Sequence, residues 1–466
     1  MKHTAISERV LQLWARLRTS YWFVPGLLVV AAAALAATLI SGDVAVQARG
    51  IAGLDRVDLT GPEGARALLS TIAGSAITVA ALVFSITMVV LSTASAQFGP
   101  RLLRNFLRHN ATQVVMGVFV GTFVYCLVTL AAVRNDADRI FVPQTAVAGG
   151  LVLGILAFAL LLYFIHHVSR FIQATYVIDD VARSLERSFR RSFPERASGP
   201  EARTPDDEET DSGHDAPESE RSSRAIVALR SGYVEAIATS ELVALAGEAD
   251  LLIRVGCRPG HFVIAGRPIA SAMPAERIDA AVAARIARAI LTGPERTSTQ
   301  DPEFAVHQLV EVALRALSPG INDPFTAVHC IDRLAAALSM LAGRALPSRY
   351  VRDAEHRVRL VTDPFTYGGV VEAAFNQIRQ AASGHLAVLL RLLEAVEVVA
   401  RGDLPEAFRD ALRVQVDAIR EAAGERFHAQ CDRAIFGERV QSALAALAVG
   451  RARTAAAAVP GHSDRK

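Results

Sequence analysis

LLSTIAGSAITVAALVFSITMVVL, residues 68–91, contains no Asp, Glu, Lys or Arg. As a helix it would rise roughly 36 Å at 1.5 Å per residue, more than the ~30 Å hydrocarbon core of a bilayer. Residues 21–40, 113–133 and 145–168 form three more charge-free apolar runs, each of about the 20 residues a crossing needs. Composition agrees: 52% of the 466 residues are hydrophobic, with the excess before residue 170. The fold expected is an α-helical integral membrane protein with four transmembrane helices over residues 21–168, followed by a cytoplasmic α+β domain. The first run follows the basic residues Lys2, Arg9, Arg16 and Arg18. It exceeds the length of a signal-peptide core and reads as a retained helix.

Loop charges set the orientation. Residues 1–20 are basic, the loop after the second run carries Arg101, Arg104 and Arg108 without an acid, and Arg170, Arg183, Arg187, Arg190 and Arg191 follow the fourth run. The other two loops balance Arg against Asp and Glu. The positive-inside rule then puts both termini in the cytoplasm of a cell inner (plasma) membrane. A net charge of +2 gives no nucleic-acid signature, and none is expected as a partner. The four cysteines (Cys126, Cys257, Cys330, Cys431) are scattered without metal spacing. They read as reduced thiols, and no metal or cofactor is expected.

Within residues 68–91 and just beyond, Thr71, Thr78, Ser85 and Ser92 recur every seven residues, with Ser75 beside them. That spacing lays them along one stripe of a helix. Such a stripe suits a water-facing pore lining, or close helix packing, where small and hydroxyl residues are favoured. GPRLLRNFLRH, residues 99–109, puts Arg101, Arg104 and Arg108 on one face and leucines with Phe106 on the other. It reads as an in-plane interfacial helix. GVFVG (117–121) and GLVLG (150–154) have the GxxxG spacing that lets helix backbones approach, within one subunit or between subunits. No charged residue lies inside a run, which disfavours a proton relay or an ion-coupled transporter.

Residues 169–193 continue the fourth run as a helix leaving the membrane. Residues 194–224, rich in Pro, Ser, Asp and Glu, read as a disordered acidic linker. Residues 225–274 read as a small β-rich subdomain, with one helix capped by Ser240. Its RPGHFVIAGRPIA resembles the strand–turn–strand of biotinyl/lipoyl-type barrels. The turn has no lysine, so only a barrel-like fold is implied. Residues 275–449 read as a helical bundle with a short strand at 356–361, and residues 450–466 as a frayed tail.

SPGINDPFTAV, residues 318–328, joins two of those helices. Pro319 and Gly320 stop the first; Asp323 caps the second, with Pro324 in its first turn. DPFT returns at 363–366, where Asp363 suggests the same solution. Capping does not require Ser318 or Asn322. His307 and Glu311 share a helix face, and His329 and Asp332 follow on the next helix. Ser318, Asn322, Asp323, His307, Glu311, His329 and Asp332 are therefore candidates for binding a small polar ligand. No nucleophile–base arrangement is legible, and no enzyme is expected.

STIAGSAITVAALVFSITMVVLSTASAQFGPRLLRNFLR, TQVVMGVFVGTFVYCLVTL and ALRALSPGINDPFTA together resemble a bacterial predicted-membrane-protein family of unknown function (domain of unknown function 2254), over about residues 20–440. The resemblance implies several N-terminal spans and a cytoplasmic C-terminal domain, and no established activity. The function expected is an oligomeric channel or pore-like protein, regulated by its cytoplasmic domain. Its partners would be the bilayer, copies of itself, and ions or a small cytoplasmic ligand. The alternative is a membrane-anchored sensing or interaction module without transport.

Overall fold

The computed structural model describes residues 22–48, 61–99, 110–136, 139–171, 173–196, 222–424 and 426–457. The basic N-terminus, the expected interfacial helix with Arg101, Arg104 and Arg108, and most of the acidic linker lie outside the described residues. The chain divides into two compact units, Met1–Tyr176 and Val177–Lys466.

The first unit holds α1 (Phe23–Ala48), α2 (Pro62–Phe98), α3 (Asn110–Ala132) and α4 (Gln144–Phe171). A short antiparallel hairpin, β1 (Arg134–Asp136) with β2 (Arg139–Phe141), lies between α3 and α4. Helix α3 is central: α1, α2 and α4 all pack on it. Both GxxxG pairs face neighbouring helices of this same unit. A Cβ on Gly117 would lie 2.6 Å from Leu28 Cδ1 and 2.9 Å from Pro25 Cα, and one on Gly121 would lie 3.3 Å from Ala32 Cβ. Gly150 meets Leu69, and Gly154 meets Ile72. Helix α2 has 37 residues, so it rises roughly 55 Å and outruns the hydrocarbon core by about 25 Å.

Charged side chains sit at helix ends of this unit. Helix α1 continues past residue 40 and carries Asp43 with it. The carboxylate accepts from Thr145 N (3.1 Å), Thr145 Oγ1 (2.6 Å) and Ala146 N (3.2 Å). It thereby satisfies the open N–H groups at the start of α4. Arg66 Nη2 donates to the Val133 carbonyl (3.0 Å), just past the end of α3.

The boundary between the units falls in the first turn of α5 (Ala174–Ser192), most of which belongs to the second. Val177, Ile178, Val181, Ala182, Leu185 and Phe189 make its buried face at helical spacing. The expected continuous helix leaving the fourth run is two helices, α4 and α5. Next come β3 (Arg224–Val227), β4 (Gly232–Ile237), α6 (Thr239–Glu248), β5 (Leu252–Val255), β6 (Phe262–Val263), β7 (Pro268–Met273), α7 (Ala280–Ala289) and β8 (Ile290–Gly293). The helices α8 (Pro302–Ala316) and α9 (Pro324–Ala342) follow, then β9 (Tyr350–Arg352) and β10 (Val358–Val361). Helices α10 (Tyr367–Ala381), α11 (Leu386–Ala400), α12 (Glu406–Ala423) and α13 (Gln430–Ala457) complete it.

The strands form two sheets, ordered β3-β7-β5-β10-β9 and β6-β4-β8. All their pairings are antiparallel except β5 with β10. Three expectations need correction here. The strand–turn–strand expected in RPGHFVIAGRPIA is present, but its strands do not pair with each other: β6 and β7 lie in different sheets, and the chain changes sheet through Gly266, whose φ is +77°. The β-rich part is not confined to 225–274, since β8, β9 and β10 come from later residues. Helix α6 starts at Thr239, so Ser240 lies inside it, and the cap position, Ala238, supplies no side-chain bond.

The helical part is divided more finely than periodicity suggested. The run 370–400 breaks at Ser383-Gly384-His385 into α10 and α11, and α13 extends to Ala457. Buried Arg409 ties α12 to α13 by donating to the Leu447 carbonyl (3.2 Å), and also donates to that of Leu404 (3.1 Å). Among the described residues, five helices are long and apolar enough to cross a membrane. The first four are α1–α4; the fifth, α9, packs on α8 and α11 within the second unit.

Candidate functional site

The hydroxyl stripe lies on the outer face of α2. Thr71, Ser75, Thr78, Ser85 and Ser92 are all exposed. The opposite face, with Ala73, Ala76, Ala80 and Val83, is buried against α3 and α4. Among the described residues the stripe is therefore not packed against the neighbouring helices. Thr71 Oγ1 donates to the Ala67 carbonyl (2.7 Å) and Thr78 Oγ1 to that of Gly74 (2.8 Å), which satisfies those hydroxyls along their own helix. Leu82 and Val89 share this face, so it is mixed rather than wholly polar.

The loop between α8 and α9 is built as a helix stop and start. The amides of Ile321 and Asn322 donate to the Ser318 carbonyl (3.0 and 2.8 Å), and that of Asp323 to Ala316 O (2.8 Å). Asn322 has φ +49°, the left-handed geometry that asparagine tolerates best after glycine. Ser318 Oγ donates to the Arg315 carbonyl (2.6 Å). Asp323 accepts from Thr326 N (3.2 Å) and Thr326 Oγ1 (2.6 Å), with Pro324 in the first turn of α9. The loop thus accounts for Ser318, Asn322 and Asp323 internally.

The other candidates point elsewhere. His329 Nε2 lies 3.4 Å from Asp179 on α5, and Asp332 is bonded to Arg391 on α11. Glu311 pairs with Arg315 one turn along α8 (3.7 Å). Among the described residues no group of three or more His, Cys, Asp or Glu is arranged to hold a metal ion. The expectation for Asp363 is corrected: α10 starts at Tyr367 and is capped by Thr366 Oγ1, which accepts from Gly369 N (3.0 Å).

His307 belongs to a different constellation, one that sequence reading missed. Asp301-Pro302 opens α8 as Asp323-Pro324 opens α9. Asp301 accepts from Phe304 N (2.9 Å) and pairs with Arg296 (2.7 Å). Arg296 Nη1 lies 3.4 Å from His307 Nδ1. Arg258 pairs with Glu303 (3.2 Å) and lies over the Phe365 ring, 5.1 Å from its centroid. Gly260, at φ +95°, leaves room for Asp301, whose carboxylate would clash with any Cβ there. Burial raises the Asp301 and Glu303 carboxyls above their ordinary range, against the pull of Arg296 and Arg258. Burial and then Arg258 lower His261. Both acids are matched by guanidinium groups, so the cluster docks the β sheets onto the start of α8. The Asp-Pro dipeptide at 301–302 was the available signal.

An open groove lies between α6 and the β9–β10 hairpin, lined by Ser240, Val243, Arg352, Asp353 and Arg359. None of the sequence candidates lines it.

These features define a membrane protein with multiple apolar helices and a mixed helix and sheet region. The chain belongs to the family described as Predicted membrane protein (DUF2254), whose model matches residues 18–398. It is similar to an uncharacterized protein of Mycobacterium tuberculosis and to one of Mycobacterium bovis. Each is 31% identical over 393 residues, covering 82% of this chain and 73% of the relative. No solved structure matches the chain.

Proposed function

We propose that this is a four-span inner-membrane protein with both termini in the cytoplasm. It assembles as a homo-oligomer in which the hydroxyl face of α2 borders a path for ions or small polar solutes. The second unit regulates that path, and no catalytic step is assigned to it.

The exposed stripe carries this reading. The hydroxyls of Ser75, Ser85 and Ser92 make no hydrogen bond among the described residues, and they share one outward face of an apolar helix. In lipid those hydroxyls would gain nothing, whereas water or a facing copy of α2 would satisfy them. The span count rests on α9: His329 and Arg333 form ion pairs with Asp179, and Asp332 with Arg391, an expensive set to place in hydrocarbon. Orientation follows the arginine distribution.

The test is electrical recording from the purified protein in planar bilayers. Unitary currents that shift in size or ion selectivity with Ser85→Asp support the path. Silence under voltage, tension and a range of salts contradicts it.

A further inference from the structure

The loop between α8 and α9 leaves two large apolar side chains uncovered: Phe325 is 84% exposed and Ile321 46% exposed. The polar groups around them are used within the loop, where Asp323 caps α9 and Ser318 closes on Arg315. The left-handed Asn322 and the bonds to the Ser318 carbonyl hold the pair on a defined turn. A single exposed leucine on a surface is ordinary. An aromatic side chain this bare, beside an isoleucine on an ordered turn, is not.

The position of the pair within the second unit is informative. Helices α5 and α9 run parallel. Asp179, in the second turn of α5, meets His329 (3.4 Å) and Arg333 (2.7 Å). Near the other ends, Arg344 Nη1 donates to the carbonyls of Arg190 (3.3 Å) and Phe193 (2.5 Å), and Ala345 N donates to Pro194 O (2.9 Å). Both N-termini therefore lie at one end of the unit. Phe325 is about 6 Å along α9 from His329, and Val177, the first residue of the second unit, about 3 Å along α5 from Asp179, so both lie at the same end of this unit. Helix α5 starts at Ala174, and α4, long and apolar enough to cross a membrane, ends at Phe171. The end that presents Ile321 and Phe325 is thus the end at which the second unit begins, shortly after α4 in the chain.

We propose that Ile321 and Phe325 insert into the interfacial layer of the bilayer, with lipid as their occupant. Aromatic and aliphatic side chains at this depth bury apolar surface at the boundary between headgroups and acyl chains. Charges at this end are mixed, with Asp179, Asp180 and Asp323 set against Arg183, Arg333 and His329. The contact is therefore apolar and does not require anionic lipid. The unit is held to the membrane twice, by the chain at Phe171 and by this loop.

The test is photocrosslinking of the full-length protein in phosphatidylcholine vesicles, with benzoylphenylalanine at position 325. Position 262 is the control: Phe262 is 58% exposed and lies beside Gly260 and Arg258, at the opposite end of α8. A lipid adduct at 325 and none at 262 is expected. An adduct to a second copy or to the protein's own spans overturns the proposal, as does the absence of any adduct. A second measurement uses a nitroxide on Ile321→Cys in a Cys431→Ser background. The ratio of oxygen to nickel-chelate collisions should be severalfold higher than for the same label at Phe262→Cys, and an equal ratio overturns the insertion.

Discussion

Asp301 and Asp323 occupy the same position in the same Asp-Pro helix start, so substituting both separates a cap from a buried ion pair. Asp323→Ala removes the bond to Thr326 N, a loss of about 1 kcal/mol. Asp301→Ala removes the equivalent bond to Phe304 N and also strips Arg296 of its carboxylate. Asp301 is 1% exposed and Arg296 22%. Breaking a fully buried pair costs about 3–5 kcal/mol; with Arg296 partly solvated, about 2 kcal/mol is reasonable. The total for Asp301→Ala is then about 3 kcal/mol. Asp301→Asn keeps an acceptor for the cap and for Arg296 and loses only a charge that burial already disfavours, so it should cost clearly less than Asp301→Ala. Cys330 is fully buried in α9 and supplies the probe, with the exposed Cys431 replaced by Ser. At about 1.4 kcal/mol per decade, thiol labelling of Cys330 should accelerate about fivefold in Asp323→Ala and about a hundredfold in Asp301→Ala. Equal acceleration in the two alanine variants would refute the contribution assigned to the ion pair.

Other perturbations test the rest of the architecture. Gly117→Val should loosen α1 from α3 by about 1–3 kcal/mol through overpacking against Leu28 and Pro25. Gly74→Ala, with nothing within 4 Å of its added Cβ, should leave the thermal stability of the purified protein undiminished and raise it by up to about 1 kcal/mol through helix propensity. Asp43→Ala should cost about 1–2 kcal/mol and speed amide exchange at the start of α4, because Thr145 and Ala146 lose their acceptor. Acid should act in opposite directions at two places. Bonds from Arg359 and Arg277 hold Asp250 at about 2, below its ordinary 3.8. Its contribution is full above 3.8 and is lost as pH falls toward about 2, so the β9–β10 hairpin should open over that window. Burial raises Asp301 and Glu303, so their contribution declines as pH rises through their folded-state range, and mild acid should not open the start of α8. Hydrogen exchange corrected for intrinsic rates reads both.

Features that depend on one segment were legible in the sequence. A charge-free apolar run signals a membrane-competent helix without reference to its neighbours, and residues 68–91 form one inside α2. The Asp323-Pro324 start needed only local backbone chemistry. The same dipeptide misled at Asp363, because β10 ends at Val361 and residues 362–366 form no regular element before α10, which Thr366 caps. Features assembled across distance were not legible. Strand β5 pairs with β10 more than a hundred residues later, and strands this short carry little periodicity of their own. The ion-pair cluster draws Arg258, Arg296 and Glu303 from three separate segments, so no spacing announces it. His307 and Glu311 share a helix, yet the partners of His307 come from the loop before α8 and those of His329 from α5.

The hydroxyl face of α2 is proposed to border a watery path between subunits. Ser85→Cys in the Cys431→Ser background, in intact membranes, tests this. The new cysteine should react with a charged, membrane-impermeant thiol reagent and form a disulfide between copies under oxidation, while Leu82→Cys should do so more slowly. Reaction only with lipid-soluble reagents, with no link between copies, would contradict it.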